Sequence, residues 1–147
     1  MKVTFVIGNL KNGGSESQLI KLIAGLRKRN FEPKLFASDG NGELLKTAKE
    51  LQCDIIHGGY APNSGALKGI YTIFICFLRL LLHLIQSNPD VVNGFLPYVN
   101  VMTVFCGKIL RIKSVLTSYR SIQNDSFRAS VLGLVDSFSR RFTDVVV

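Results

Sequence analysis

Gly8-Asn9-Leu10-Lys11-Asn12-Gly13-Gly14-Ser15-Glu16-Ser17-Gln18 links a short apolar run, residues 3–7, to an amphipathic run that opens at Leu19. Paired glycines at the exit of a strand let backbone come close to a ligand, because no Cβ stands in the way. The helix that follows begins with N–H groups that lack an intrahelical acceptor, and these favour an anion. The stretch therefore reads as a phosphate-facing turn between a first strand and a first helix. It matches the phosphate-cradling pattern G-x-x-x-x-G-K-[ST] at Gly8, Gly13 and Ser15, but Gly14 stands where that pattern needs lysine. It also lacks the G-x-G-x-x-G spacing of dinucleotide sites. The missing cation excludes ATP hydrolysis, and a ligand-free tight turn remains the alternative.

Outward from this turn the chain alternates strand and helix. Ser15 and Gln18 form a capping box, and Leu19, Leu22, Ile23 and Leu26 mark the apolar face of the first helix. Further strands are expected at 34–37, 54–57, 91–94, 114–118 and 144–147, with helices at 43–51, at 66–87 and from Pro97 to about 110. Phe127, Val131, Leu134, Phe138 and Phe142 recur at helical spacing before the last strand. Six buried strands alternating with helices imply an α/β fold: a Rossmann-like, doubly wound parallel sheet with helices on both faces, one domain over residues 1–147. Ligands of such sheets bind at the carboxyl ends of the strands, here residues 8–15, 39–42, 58–65, 93–98 and 119–125.

Hydrophobic content of 47% with 19% charged residues excludes a disordered chain. The net charge of +8 suits an anionic partner such as a phosphorylated substrate or an acidic lipid surface, and solubility alone would also account for it. Nucleic acid is not expected, because basic and aromatic residues do not interleave on one face. Cys53, Cys76 and Cys106 match no zinc or redox spacing and read as buried thiols in a reducing cytoplasm. The apolar run at the amino terminus is too short for a secretory signal.

Individual side chains narrow the site. Asp39 sits where a ribose-binding acid would, but Ser38, Gly40, Asn41 and Gly42 around it read as an ordinary turn. Between residues 70 and 85 only Thr72, Arg79 and His83 are polar; with Lys68 and Gln86 they fall on one narrow stripe. The central arginine and the length of the run argue against a membrane span. Burial between sheet and neighbouring helices is expected, with an apolar flank on a membrane or second domain as the alternative. His83, on the stripe, is expected in solvent, and His57 is a candidate to face the cleft. The two are too far apart for a metal site, and none is expected. Tyr119 and Arg120 follow the fifth strand, where an arginine can pair bidentately with phosphate or carboxylate. Asn124 or Asp125 would cap the next helix.

Gly13-Gly14-Ser15-Glu16 closing the first loop, the helix run Leu-Ile-Lys-Leu-Ile-Ala-Gly-Leu, Arg29-Asn30-Phe31-Glu32-Pro33-Lys34-Leu35-Phe36 and Asn88-Pro89-Asp90-Val91-Val92-Asn93 together resemble the N-terminal domain of retaining GT-B glycosyltransferases. The resemblance implies a two-domain enzyme that moves a sugar from a nucleotide-sugar to a glycan or lipid-linked acceptor in polysaccharide, lipopolysaccharide or glycolipid synthesis. Its first domain binds the acceptor, and its second, outside these 147 residues, holds most of the donor. The donor is a substrate, and neither cofactor nor metal is implied. Gly13 and Gly14 would approach the donor phosphate, while Asn93, Tyr119 and Arg120 are the acceptor or cleft candidates. Family members often carry histidine where Asn93 and Tyr119-Arg120 stand, so the catalytic residue stays unassigned. The implied location is cytoplasmic, at the inner face of a membrane, and these residues alone are expected to be inactive. Two rival readings remain open: a stand-alone nucleotide-binding module, and a non-catalytic domain docking on a membrane or partner through the 66–87 helix.

Overall fold

The structure, a computed structural model, describes residues 1–61, 65–118 and 143–146. Tyr119, Arg120, Asn124, Asp125 and the expected helix at 127–142 lie outside the described residues. In chain order the elements are β1 (Lys2–Ile7), α1 (Gly14–Arg27), β2 (Glu32–Ala37), α2 (Leu45–Glu50), β3 (Asp54–His57), α3 (Ala66–Ser87), β4 (Val91–Phe95), α4 (Pro97–Ile109), β5 (Ser114–Ser118) and β6 (Val145–Val146). All strands pair in parallel, in the order β3-β2-β1-β4-β5-β6. Strand order reverses between β1 and β4, which makes their carboxyl ends the switch point. Pro33, without an N–H to donate, sits in the part of β2 that pairs with β1 but lies before the first residue matched to β3, Lys34.

Residue alternation along the strands feeds two cores. On one face Phe5, Ile7, Leu35 and Phe95 meet Leu19, Ile20 and Ile23 of α1 and Ala48 of α2. On the other, Val6, Phe36, Val92 and Val115 meet Cys76, Leu80 and Leu84 of α3 and Val104 of α4. A helix layer on each face is the doubly wound arrangement expected from the strand–helix alternation. The first helix starts differently from expectation. Its N-cap is Gly13 with no side-chain cap bond, and Ser15 lies inside the first turn. Glu16 folds its carboxylate back over Gly13, into the space any side chain at the cap would need.

The long helix α3 departs in part from expectation: Lys68, Arg79 and Gln86 of the polar stripe are exposed, but Thr72 and His83 are not, and much of the apolar side expected to be buried faces out. Thr72, Cys76, Leu80, His83, Leu84 and Ser87 are buried, whereas Leu67, Ile70, Tyr71, Phe74, Leu82 and Ile85 are exposed. The buried polar residues are of kinds that this interface accommodates. Thr72 donates to the Gly69 carbonyl at 3.0 Å and Ser87 to the His83 carbonyl at 2.7 Å, so both hydroxyls are satisfied within the helix. His83, expected in solvent, is 7% exposed, and its ring stacks on Phe36 with centroids 6.2 Å apart. By length and composition Leu67–Ser87 is apolar enough to cross a membrane, yet its inner stripe is packed on the sheet.

Candidate functional site

The turn after β1 is held rigidly at one end and open at the other. Leu10, its one large apolar residue, is buried in the core. The Leu10 backbone donates to the Asn41 carbonyl at 3.2 Å and accepts from the Leu44 N–H at 2.9 Å, fastening the turn to the segment between β2 and α2. Asp39 donates its backbone N–H to the Gly8 carbonyl at 2.7 Å. Its carboxylate accepts from Asn41 Nδ2 at 2.8 Å, the local turn bond expected of Asp39. Beyond Leu10, Lys11 and Asn12 are exposed, with Gly13 partly so. A Cβ on Gly14 would meet nothing within 4 Å, so the fold itself does not demand glycine there. A side chain at 14 would therefore enter open space at the carboxyl edge of the sheet, whereas the Gly13 N–H donates to the Lys11 carbonyl at 2.9 Å and the Glu16 carboxylate lies over Gly13.

Across the switch point, the chain leaves β4 under strain. Leu96 has φ 81 and ψ 144, a region that a residue with a side chain rarely enters, and the following Pro97 starts α4. This turn brings Tyr98 over the first loop, where its hydroxyl lies against the space beside Gly8. Burial, foremost, pushes the Tyr98 phenol above its ordinary range, so it stays neutral. The sequence placed Tyr98 only as the last residue of the 93–98 segment at the ligand edge, without a role of its own.

Asn93 lies inside β4, in register with Phe5 of β1 and Leu116 of β5. It is 7% exposed, and its Oδ1 accepts from Ser118 Oγ at 3.1 Å. Asn100 of α4 donates to the Ser118 carbonyl at 3.5 Å, and its side chain abuts Gly94, where a Cβ would stand 2.6 Å from Oδ1. Asn93 therefore lies within the strand, two residues short of its end, and not at the strand exit expected for it. His57 is exposed at the end of β3 against Gly40, on the other side of β2 from the switch point. Among the described residues no group of His, Cys, Asp and Glu could hold a metal.

Cavities lie at both edges of the sheet, including one of 320 Å³ beside Asn88, Asp90 and Lys113. One of 310 Å³ lies at the carboxyl edge between α3 and α4, lined by Ser38, Tyr60, Tyr98 and neighbours. A larger one of 410 Å³, lined by Arg27, Asn30, Glu32, Lys34 and Asp54, is at the opposite edge. The strand-end rule and the open glycine turn both favour the cavity at the carboxyl edge.

No protein-family model and no curated protein sequence matches the chain. Solved structures do match in fold. MurG of Acinetobacter baumannii aligns over 99% of this chain and 40% of its own, with a TM-score of 0.73 and 16% identity. UDP-GlcNAc 2-epimerase from Methanocaldococcus jannaschii aligns over 99% and 38%, at 0.70 and 14%. Sucrose-phosphate synthase from Thermosynechococcus elongatus aligns over 99% and 41%, at 0.63 and 12%. The chain spans about two fifths of the length of these proteins and has the Rossmann-like fold of GT-B enzymes.

Proposed function

We propose that the chain is the acceptor-side N-terminal lobe of a glycosyltransferase that moves a sugar from a nucleotide-sugar to a glycan or lipid-linked acceptor. The observation that carries this reading is the turn at 11–14: an exposed loop and helix start beside the switch point, with a glycine at 14 that packing does not require. In the assembled cleft, the backbone of Gly13 and Gly14 comes close to the donor diphosphate, and the N–H groups that open α1 stabilise the charge that develops as it leaves, once Glu16 swings off Gly13. Asn93, Tyr119 and Arg120 are the acceptor-side candidates of this reading. A second lobe holds most of the nucleotide-sugar, so these 147 residues by themselves do not transfer sugar.

The reaction consumes the nucleotide-sugar as substrate, without a resident cofactor. Apolar residues on the outer side of α3, with Lys68 and Arg79 along its flank, support work on an anionic membrane surface at the cytoplasmic side. Isothermal titration of the chain with a panel of nucleotide-sugars tests the division of labour. Weak binding is expected; tight binding, comparable to a complete enzyme, contradicts it. Because fold neighbours include UDP-GlcNAc 2-epimerases, the product of any joined two-lobe enzyme is assayed for epimerised nucleotide-sugar as well as for transfer. Epimerisation without transfer would replace the transferase reading.

A further inference from the structure

The 310 Å³ cavity at the carboxyl edge has an unusual lining. Tyr60, Ile73, Cys76, Tyr98 and Met102 present mostly carbon and sulfur. The buried polar exception is Ser38, 1% exposed, whose hydroxyl has no oxygen or nitrogen partner and has only the Cys76 thiol, a weak one, beside it. A sugar placed here would leave most of its hydroxyls without partners, at a cost that excludes it. An apolar group meets no such penalty. The volume is roughly twice the ~150 Å³ that takes a benzene-sized guest.

Two neighbours say where such a group would come from and lead to. Ile73 lines the cavity while being 46% exposed on α3, which joins the cavity to the apolar outer side of that helix. Tyr98 lines it too and rests against Gly8, which joins it to the glycine turn. At ~1.5 Å per residue the part of α3 before Cys76 runs about 15 Å beyond the point where Cys76 packs on Gly58 at the sheet edge. Arg79, one turn after Cys76, donates to the Gly58 carbonyl at 3.4 Å and places a cation near the Tyr60 wall.

We propose that this cavity binds the hydrocarbon chain of an amphiphilic, phosphate-bearing acceptor, with the first apolar units between Tyr60, Ile73 and Met102 and the anionic head toward Arg79. The inference rests on the glycosyltransferase reading and narrows its acceptor to the lipid-linked class. The route is continuous: membrane-facing α3, cavity, glycine turn.

The test is methyl NMR of the 147-residue chain titrated with farnesyl phosphate below its micelle concentration. The Ile73 and Met102 methyl signals are expected to shift saturably. Val101→Trp, which fills the cavity from α4, and Ile73→Glu, which charges its mouth, are each expected to weaken binding about tenfold. Farnesol should bind the same methyls more weakly, and inorganic phosphate should leave them unmoved. Circular dichroism establishes that each variant is folded. The proposal is overturned if the methyls do not respond, if neither folded variant weakens binding, or if inorganic phosphate reproduces the shifts. Amide signals of Gly13 and Gly14 in the same sample report nucleotide-sugar separately. Their silence beside an intact methyl response contradicts the glycosyltransferase reading, whereas the converse contradicts the cavity alone.

Discussion

The Tyr98 hydroxyl occupies the space that a side chain on Gly8 would fill. One contact thus joins the loops leaving β1 and β4, the two strands that flank the switch point. Gly8→Ala is expected to cost about 1–3 kcal/mol through overpacking, with the backbone held by the Asp39 bond. Tyr98→Phe in that background should recover part of the loss, because the hydroxyl oxygen is the nearest atom. Urea unfolding of the double-mutant cycle measures the coupling. Strict additivity would mean that the two residues do not touch.

His83 gives the fold a pH dependence. Burial, foremost, and the nearby Lys34 charge lower its pKa, against a smaller opposing pull from Asp54; Phe36 faces its ring. The unfolded chain therefore binds a proton more readily than the folded one, and stability rises with pH through this window. The contribution is complete above the unfolded value of about 6.5 and is lost as pH falls from there toward the lower folded value. His83→Phe keeps a ring on Phe36 and should flatten this part of the stability profile in thermal melts between about pH 7.5 and about pH 5.5.

The three cysteines are buried and free. Burial pushes the Cys53 thiol up to about 11 and the Cys106 thiol to about 12, and it raises Cys76 as well. Thiolate is the reactive form. A disulfide reagent at neutral pH should find no fast-reacting thiol in the native chain and all three after denaturation. A rapid native reaction would show that one of these positions is open.

Ile70, Phe74 and Leu82 project from α3 without sealing a core. Replacing them with serine should change stability by no more than about 0.5 kcal/mol. The same changes should abolish pelleting with anionic-lipid vesicles, and Lys68→Ala with Arg79→Ala should weaken it. Equal pelleting of native and variant chains would remove the membrane part of the proposed function.

Much of the architecture was legible because buried parallel strands read as short, largely apolar runs, as residues 3–7 do apart from Thr4, and helices between them repeat on a helical period. At the candidate site only the local geometry was legible, as in the strand-to-helix turn at Gly13 and Gly14. The role of Tyr98 was missed because it depends on β1 and β4 lying side by side, a pairing of residues far apart in sequence. The burial of Thr72 and His83 on α3 was misread for a similar reason. A polar stripe ordinarily marks the wet side, but Thr72 and Ser87 satisfy their own hydroxyls and His83 finds Phe36. Leu96 carries no sequence mark of its strain beyond the proline that follows it.

The most direct measurement is an amide NMR titration of the chain with nucleotide-sugar, native and Gly14→Ala. The substitution faces open space and should leave stability unchanged or raise it by up to about 1 kcal/mol. Weak, saturable shifts confined to residues 11–16 and the end of β4, reduced in the Gly14→Ala chain, are what the account predicts. Tight binding, or shifts centred on Asp39 and His57 and indifferent to that substitution, would contradict it.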